Sequence, residues 1–158
     1  MTIFLDRKGV SRFQIKEYCC DMSPAFISGI ENNFPEASIT FAKFHVMKLV
    51  NEALDKVRHQ EQTIQPELKH SRYVWLKNQE NLTEKQKNKY AKLKDLDLAT
   101  GLAYRMILVL QEMLRRSRII SEMYFDEWYN RATCSQLVPM IKLAQSIKNH
   151  EAGYFKVV

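Results

Sequence analysis

The sequence predicts a mostly α-helical chain that carries one small parallel β unit near its start. Three observations lead there. Gly and Pro number only four each in 158 residues, so few positions break a helix. Residues 13–41 read strand, helix, strand. Beyond residue 42 the apolar residues recur at spacings of three and four, with no convincing strand.

The first strand is expected over 13–20, where Phe13, Ile15, Glu17 and Tyr18 alternate and lead into Cys19 and Cys20. A strand ending at Cys20 places Asp21 just past its carboxyl end. Ser23 before Pro24 has the chemistry of a helix start, and Phe26, Ile27 and Ile30 give that helix an apolar stripe until Asn32, Asn33 and Pro35 end it. The run Ala37–Phe41 is β-rich and too short for a helix. Two strands joined through a helix close as a right-handed parallel crossover.

From Phe44 the pattern turns helical, with Val46, Leu49, Val50, Ala53, Leu54 and Val57 on one face. Pro66 marks a break, and residues 70–81 read as a short helix and a turn. Thr83 with Gln86 forms a capping box that opens a lysine-rich helix. Three further amphipathic helices are expected around Leu102–Leu114, Tyr124–Ala132 and Leu137–Ile147, with Trp75, Trp128 and their neighbouring tyrosines as core rather than base-stacking platforms.

With 46% hydrophobic and 27% charged residues, the chain has the material for one buried core. Collagen-like and low-complexity classes are excluded. No apolar run approaches the roughly 18 residues that span a bilayer, and the first ten residues, with Asp6, Arg7 and Lys8, do not form a signal peptide. A cytoplasmic protein without a membrane partner is expected. The odd set Cys19, Cys20 and Cys134 lacks CxxC spacing and reads as reduced core residues. Lys and Arg balance Asp and Glu at eight each over residues 1–66, so the whole net charge of +6 lies in residues 67–158.

The strings CDMSPAF (20–26), ENNFPEASITFAKFHVMKLVNEALD (31–55), LKHSRYVWLKNQENLTEKQ (68–86), Ala103-Tyr104-Arg105 and FDEWYNRATCSQLVPMIKLAQSIKNH (125–150) resemble, in order and spacing, the DDE-type insertion-sequence transposases of the ISL3 group. The resemblance covers roughly nine-tenths of the chain. It implies a partial RNase H-like catalytic core over residues 1–60 and an all-helical insertion over 61–158. It further implies Mg²⁺ (or Mn²⁺) held by two Asp and one Glu, and a DNA phosphodiester as substrate.

Asp21, in the DMSPA motif, takes the position of the second acidic ligand, and is the catalytic and metal-binding candidate. An Asp after a strand also commonly serves as a turn residue. The family's first Asp lies upstream of residue 1 and its final Glu lies downstream of residue 158. Asp6 and Glu151 are too close to their neighbouring motifs to replace them. The chain is therefore expected to be a truncated piece, inactive alone and not stably loaded with metal. At the second strand's exit the family has Asp-Lys-Phe-His where this chain has Ala42, Lys43, Phe44 and His45. His45 either orients the site or contacts DNA, or is simply packed at a helix start.

Lys85, Lys87, Lys89, Lys92 and Lys94 crowd one predicted helix, and Arg115, Arg116 and Arg118 follow another. They suit salt-dependent contacts to DNA phosphates, or equally a solvated face and a favourable charge at a helix C-terminus. Two further expectations follow. The strand pair leaves an apolar edge, which calls for a second copy, another transposase chain or the chain's own N-terminus to cover it. The alternative functions are a catalytically dead DNA- or transposase-binding remnant and a helical protein-interaction module.

Overall fold

The computed structural model describes residues 11–20, 23–41, 43–116 and 118–149. The described residues fall into two compact units, the first reaching to Met47 and the second spanning Lys48–Asn149. Among the described residues the sheet has two strands, followed by helices alone.

In the first unit, β1 (Glu17–Cys20) pairs in parallel with β2 (Ser38–Phe41), Tyr18 opposite Ile39 and Cys20 opposite Phe41. The Thr40 hydroxyl donates to the Glu17 carboxylate at 2.6 Å, tying the two strands by side chains as well. Helix α1 (Pro24–Asn33) makes the crossover. Its start follows from Pro24 in the first turn and from the Ser23 carbonyl, which accepts the Phe26 and Ile27 amides at 3.0 and 3.1 Å.

The expected strand over 13–20 is shorter than the alternation predicts. Arg12–Gln14 form a 3₁₀ turn instead. The Gln14 side chain accepts the Ser11 amide at 2.9 Å while the Gln14 amide donates to the Ser11 carbonyl at 3.0 Å, and this local bonding competes with extension. Phe26, placed on the apolar stripe, is 60% exposed, whereas Ile30 is buried. Cys19 and Cys134 are exposed free thiols rather than core residues, and Cys20 is half-buried. Alternation places Cys19 on the open face of β1, so the double cysteine does not enter a core as a pair.

Helix α2 (Lys43–Glu61) begins in the first unit and gives its remaining turns to the second. Its predicted stripe is buried at Val46, Val50, Ala53, Leu54 and Val57. There follow a 3₁₀ turn at Pro66–Leu68, then α3 (Arg72–Leu76), α4 (Glu84–Leu93), α5 (Ala99–Met113), α6 (Arg118–Thr133) and α7 (Val138–Asn149). Helix α3 packs on α4, α5 on α6, and α6 on α7.

The capping box forms with both halves, the Thr83 hydroxyl accepting the Gln86 amide and the Gln86 side chain accepting the Thr83 amide at 3.0 Å. Trp75 and Trp128 are core residues, 3% and 2% exposed. Burial obliges each indole N–H to find an acceptor. Trp128 donates to the Met106 carbonyl at 2.9 Å, and Trp75 to the Ser71 hydroxyl at 3.3 Å. Among the described residues no helix is long and apolar enough to cross a membrane.

Candidate functional site

The strand that carries the acidic motif ends at Cys20, immediately before Asp21 in sequence. Asp21 itself lies outside the described residues, as do Asp6, Ala42 and Glu151. What the structure describes around the end of β1 is a cleft of about 640 Å³ within the first unit, lined by Tyr18, Cys19 and Cys20 from β1, by α1 and by His45. His45 is half-buried and meets the Phe44 ring edge-on, 5.5 Å between centroids. It therefore shares a cleft with the strand that leads to Asp21. Burial pushes the Tyr18 phenol above its ordinary value, and its ring packs against Phe34 at 4.7 Å.

Among the described residues, no three His, Cys, Asp or Glu side chains gather closely enough to hold a metal ion. The described side-chain donors lining the cleft are two thiols, an imidazole, the Tyr18 phenol and the Asn33 amide, with no carboxylate among them. Mg²⁺ is bound through carboxylate oxygens, so the described donor set does not fit it.

The basic residues separate into distinct groups. Lys85, Lys89 and Lys92, at positions i, i+4 and i+7 of α4, line one depression of about 710 Å³ with Asn88, Leu93, Leu96 and a single acid, Glu67. Lys87 and Lys94 lie on the other side of the helix, and the Lys87 ammonium is paired with Glu84 at 2.8 Å. Lys89 also donates to the Lys69 carbonyl, which holds its ammonium against the preceding turn. Lys85 and Lys92 form no ion pair among the described residues, so their charge is available.

Arg116 is paired with Glu112 at 2.9 Å along its own helix direction. Arg115 instead borders a separate depression, also lined by Lys77, Glu80 and Gln111. Arg118 opens α6, and its side chain lies outside the described residues. The seven of these cations whose side chains are described thus do not form one continuous patch; the lysines of a single helix face are the group that the fold brings together.

Sequence reasoning missed two constellations. The Asp55 carboxylate accepts from Arg58 at 2.7 Å and from Arg72 at 3.1 Å, with Arg58 only 8% exposed and also bound to Gln62. The second is the polar depression beside Arg115, of about 350 Å³, whose amides Asn51 and Gln111 are sixty positions apart in sequence. Arg58 three residues after Asp55 was a readable helical pair. Nothing local marks the other partners.

The sequence model of the DDE transposase family of ISL3 type, described as Transposase, matches residues 1–158. The transposase for insertion sequence element IS1001 of Bordetella parapertussis is 26% identical over 153 residues, which cover 89% of this chain and 37% of that relative. The chain therefore spans well under half the length of that curated relative. No solved structure matches. The family match runs through the parallel strand–helix–strand unit and the helices after it alike, and the chain belongs to the ISL3-type DDE transposase family.

Proposed function

We propose that residues 1–60 are a partial RNase H-like core and residues 61–158 the helical insertion of a transposase that cuts and joins insertion-sequence DNA in the cytoplasm. The observation that carries this reading is family membership over residues 1–158. It is supported by a β1 strand that ends directly before Asp21, because α/β folds assemble their sites at the carboxyl ends of parallel strands. Asp21 serves as one acidic ligand of the active centre, and His45 orients groups in the adjoining cleft.

The DDE family generally works with divalent metal ions. A single carboxylate cannot fix the two ions that such chemistry needs, so residues 1–158 alone neither hold Mg²⁺ or Mn²⁺ stably nor cleave DNA. The remaining acids come from further transposase sequence or from another chain, and association with a second copy covers the open strand edge.

DNA is held through its phosphates. Lys85, Lys89 and Lys92 offer the strongest surface for this, with Arg115, Arg116 and Arg118 as a second group and Lys87 and Lys94 peripheral. Such contacts release counterions and give affinity that falls steeply with salt but depends little on sequence.

The test is binding to duplex DNA over a range of salt, run beside Mg²⁺-dependent nicking of supercoiled DNA by wild type and Asp21→Ala. Salt-sensitive binding without nicking supports the reading. Nicking that disappears in Asp21→Ala would show instead that this segment cleaves alone. Ile119 and Met123, 73% and 71% exposed on α6, favour a second reading, a helical protein-interaction module, and that reading predicts neither binding nor nicking.

A further inference from the structure

The depression beside Arg115 differs in kind from the lysine face of α4. Its walls carry side-chain amides from Asn51 on α2, Asn78 and Gln79 after α3, and Gln111 on α5. Its apolar floor includes Leu54, Ile107 and Leu108, the last 42% exposed. Lys77 and Arg115 line it together with two acids, Glu80 and the Arg116-paired Glu112, and its volume is about 350 Å³.

The amides are not all occupied. Gln79 is engaged, donating to the Tyr90 hydroxyl at 3.1 Å. Asn51 and Gln111 are half-buried, and neither side-chain amide has a partner among the described residues. Each presents one acceptor and two donor hydrogens, and a half-buried amide without a partner leaves that bonding capacity directed at whatever fills the cavity. Arg115, likewise without a carboxylate partner among the described residues, supplies a cation to the lining.

A phosphate alone needs no amide carbonyls and no apolar floor. A hydrocarbon ligand needs no amides. A planar heterocycle with donors and acceptors on its edge needs both, and Asn or Gln amides match the paired donor and acceptor of a purine such as adenine. Such a base reaches a pocket only when it is out of the stack, which costs least where it is already unpaired.

We infer that this depression takes one unpaired nucleobase of a DNA strand, with Asn51 and Gln111 reading its edge, Leu108 against its face and Arg115 on the adjoining phosphate. The inference rests on the DNA-binding reading above and adds a second contact of a different chemistry. The phosphate track of α4 gives sequence-tolerant affinity, and the amide pocket distinguishes unpaired from paired DNA.

The experiment compares the affinity of the chain for a fully paired duplex with that for the same duplex carrying one bulged adenine. The bulged duplex is expected to bind about tenfold more tightly, the size of one good amide-to-base pairing. Asn51→Leu and Gln111→Leu should each remove that preference while leaving affinity for the paired duplex unchanged. Gln111→Glu keeps the size of the side chain, loses the donor edge and places a negative charge there. It should remove the preference as well, and it serves if a leucine variant fails to fold. Equal affinity of wild type for the two duplexes, or a preference that survives in Gln111→Glu, overturns the inference while leaving the DNA-binding reading intact. No measurable binding to either duplex overturns both.

Discussion

Glu61, at the last turn of α2, caps Thr100, at the first turn of α5. Its carboxylate accepts the Ala99 and Thr100 amides at 2.7 Å each and the Thr100 hydroxyl at 2.6 Å. The local N-cap residue is Leu98, which has no side-chain oxygen to offer. A residue 39 positions upstream thus does the capping and places a negative charge at the positive end of the helix.

Glu61→Ala is expected to destabilise the fold by about 2 kcal/mol, since it removes the cap and leaves the buried Thr100 hydroxyl unpaired. Glu61→Gln should cost less, because an amide oxygen still accepts. Urea midpoints of the two variants measure this, and equal losses would show that the cap is not the cause.

His70 has φ 58, in the left-handed region where a side chain is strained. It stands between the 3₁₀ turn at Pro66–Leu68 and α3. His70→Gly should raise stability by about 0.5 to 1 kcal/mol, and His70→Val should lower it by more. A lower melting temperature for the glycine variant would sink the argument.

The two sides of α4 make a separable prediction for DNA binding. Lys85→Ala and Lys92→Ala should each reduce the slope of log affinity against log salt by about 0.9, the release of one counterion. Lys87→Ala should change it less, because Glu84 already neutralises that ammonium. Equal slopes for all three variants would mean that the face does not track phosphates.

Burial pushes the Tyr104 phenol above its ordinary value; the nearby Gln79 side chain opposes the shift and the neighbouring Tyr90 adds to it. The unfolded chain therefore releases this proton first, at about pH 10. Stability from Tyr104 is complete below that pH and is lost as pH rises through the higher folded value. Between pH 9 and pH 11 the wild type should lose more urea stability than Tyr104→Phe, and identical losses would assign the alkaline transition to other groups.

Most of the helical region was legible in the residues. The capping box at Thr83 and Gln86 and the stripe from Val46 to Val57 are short-range patterns, written within one or two turns, and they formed as read. Strand length was less legible, because Ser11 and Gln14 bond each other more readily than they extend. The cysteines failed for a related reason: an apolar residue type states a preference for burial but not which face of a short strand is covered. Of the candidate site, the position of Asp21 after a strand was readable, as was the existence of a basic helix.

By itself, the sequence determined the helical class, the parallel unit at its start, the location of the positive charge and the resemblance that names the family. These properties depend on residues within about a dozen positions of one another, or on composition. The tertiary structure alone decided that Glu67 shares a depression with Lys85, Lys89 and Lys92, that Glu61 caps a helix 38 residues away, and that Asn51 and Gln111 line one cavity. Each requires segments far apart in the chain to meet, and that meeting is set by how all the apolar faces pack together, which no local pattern records.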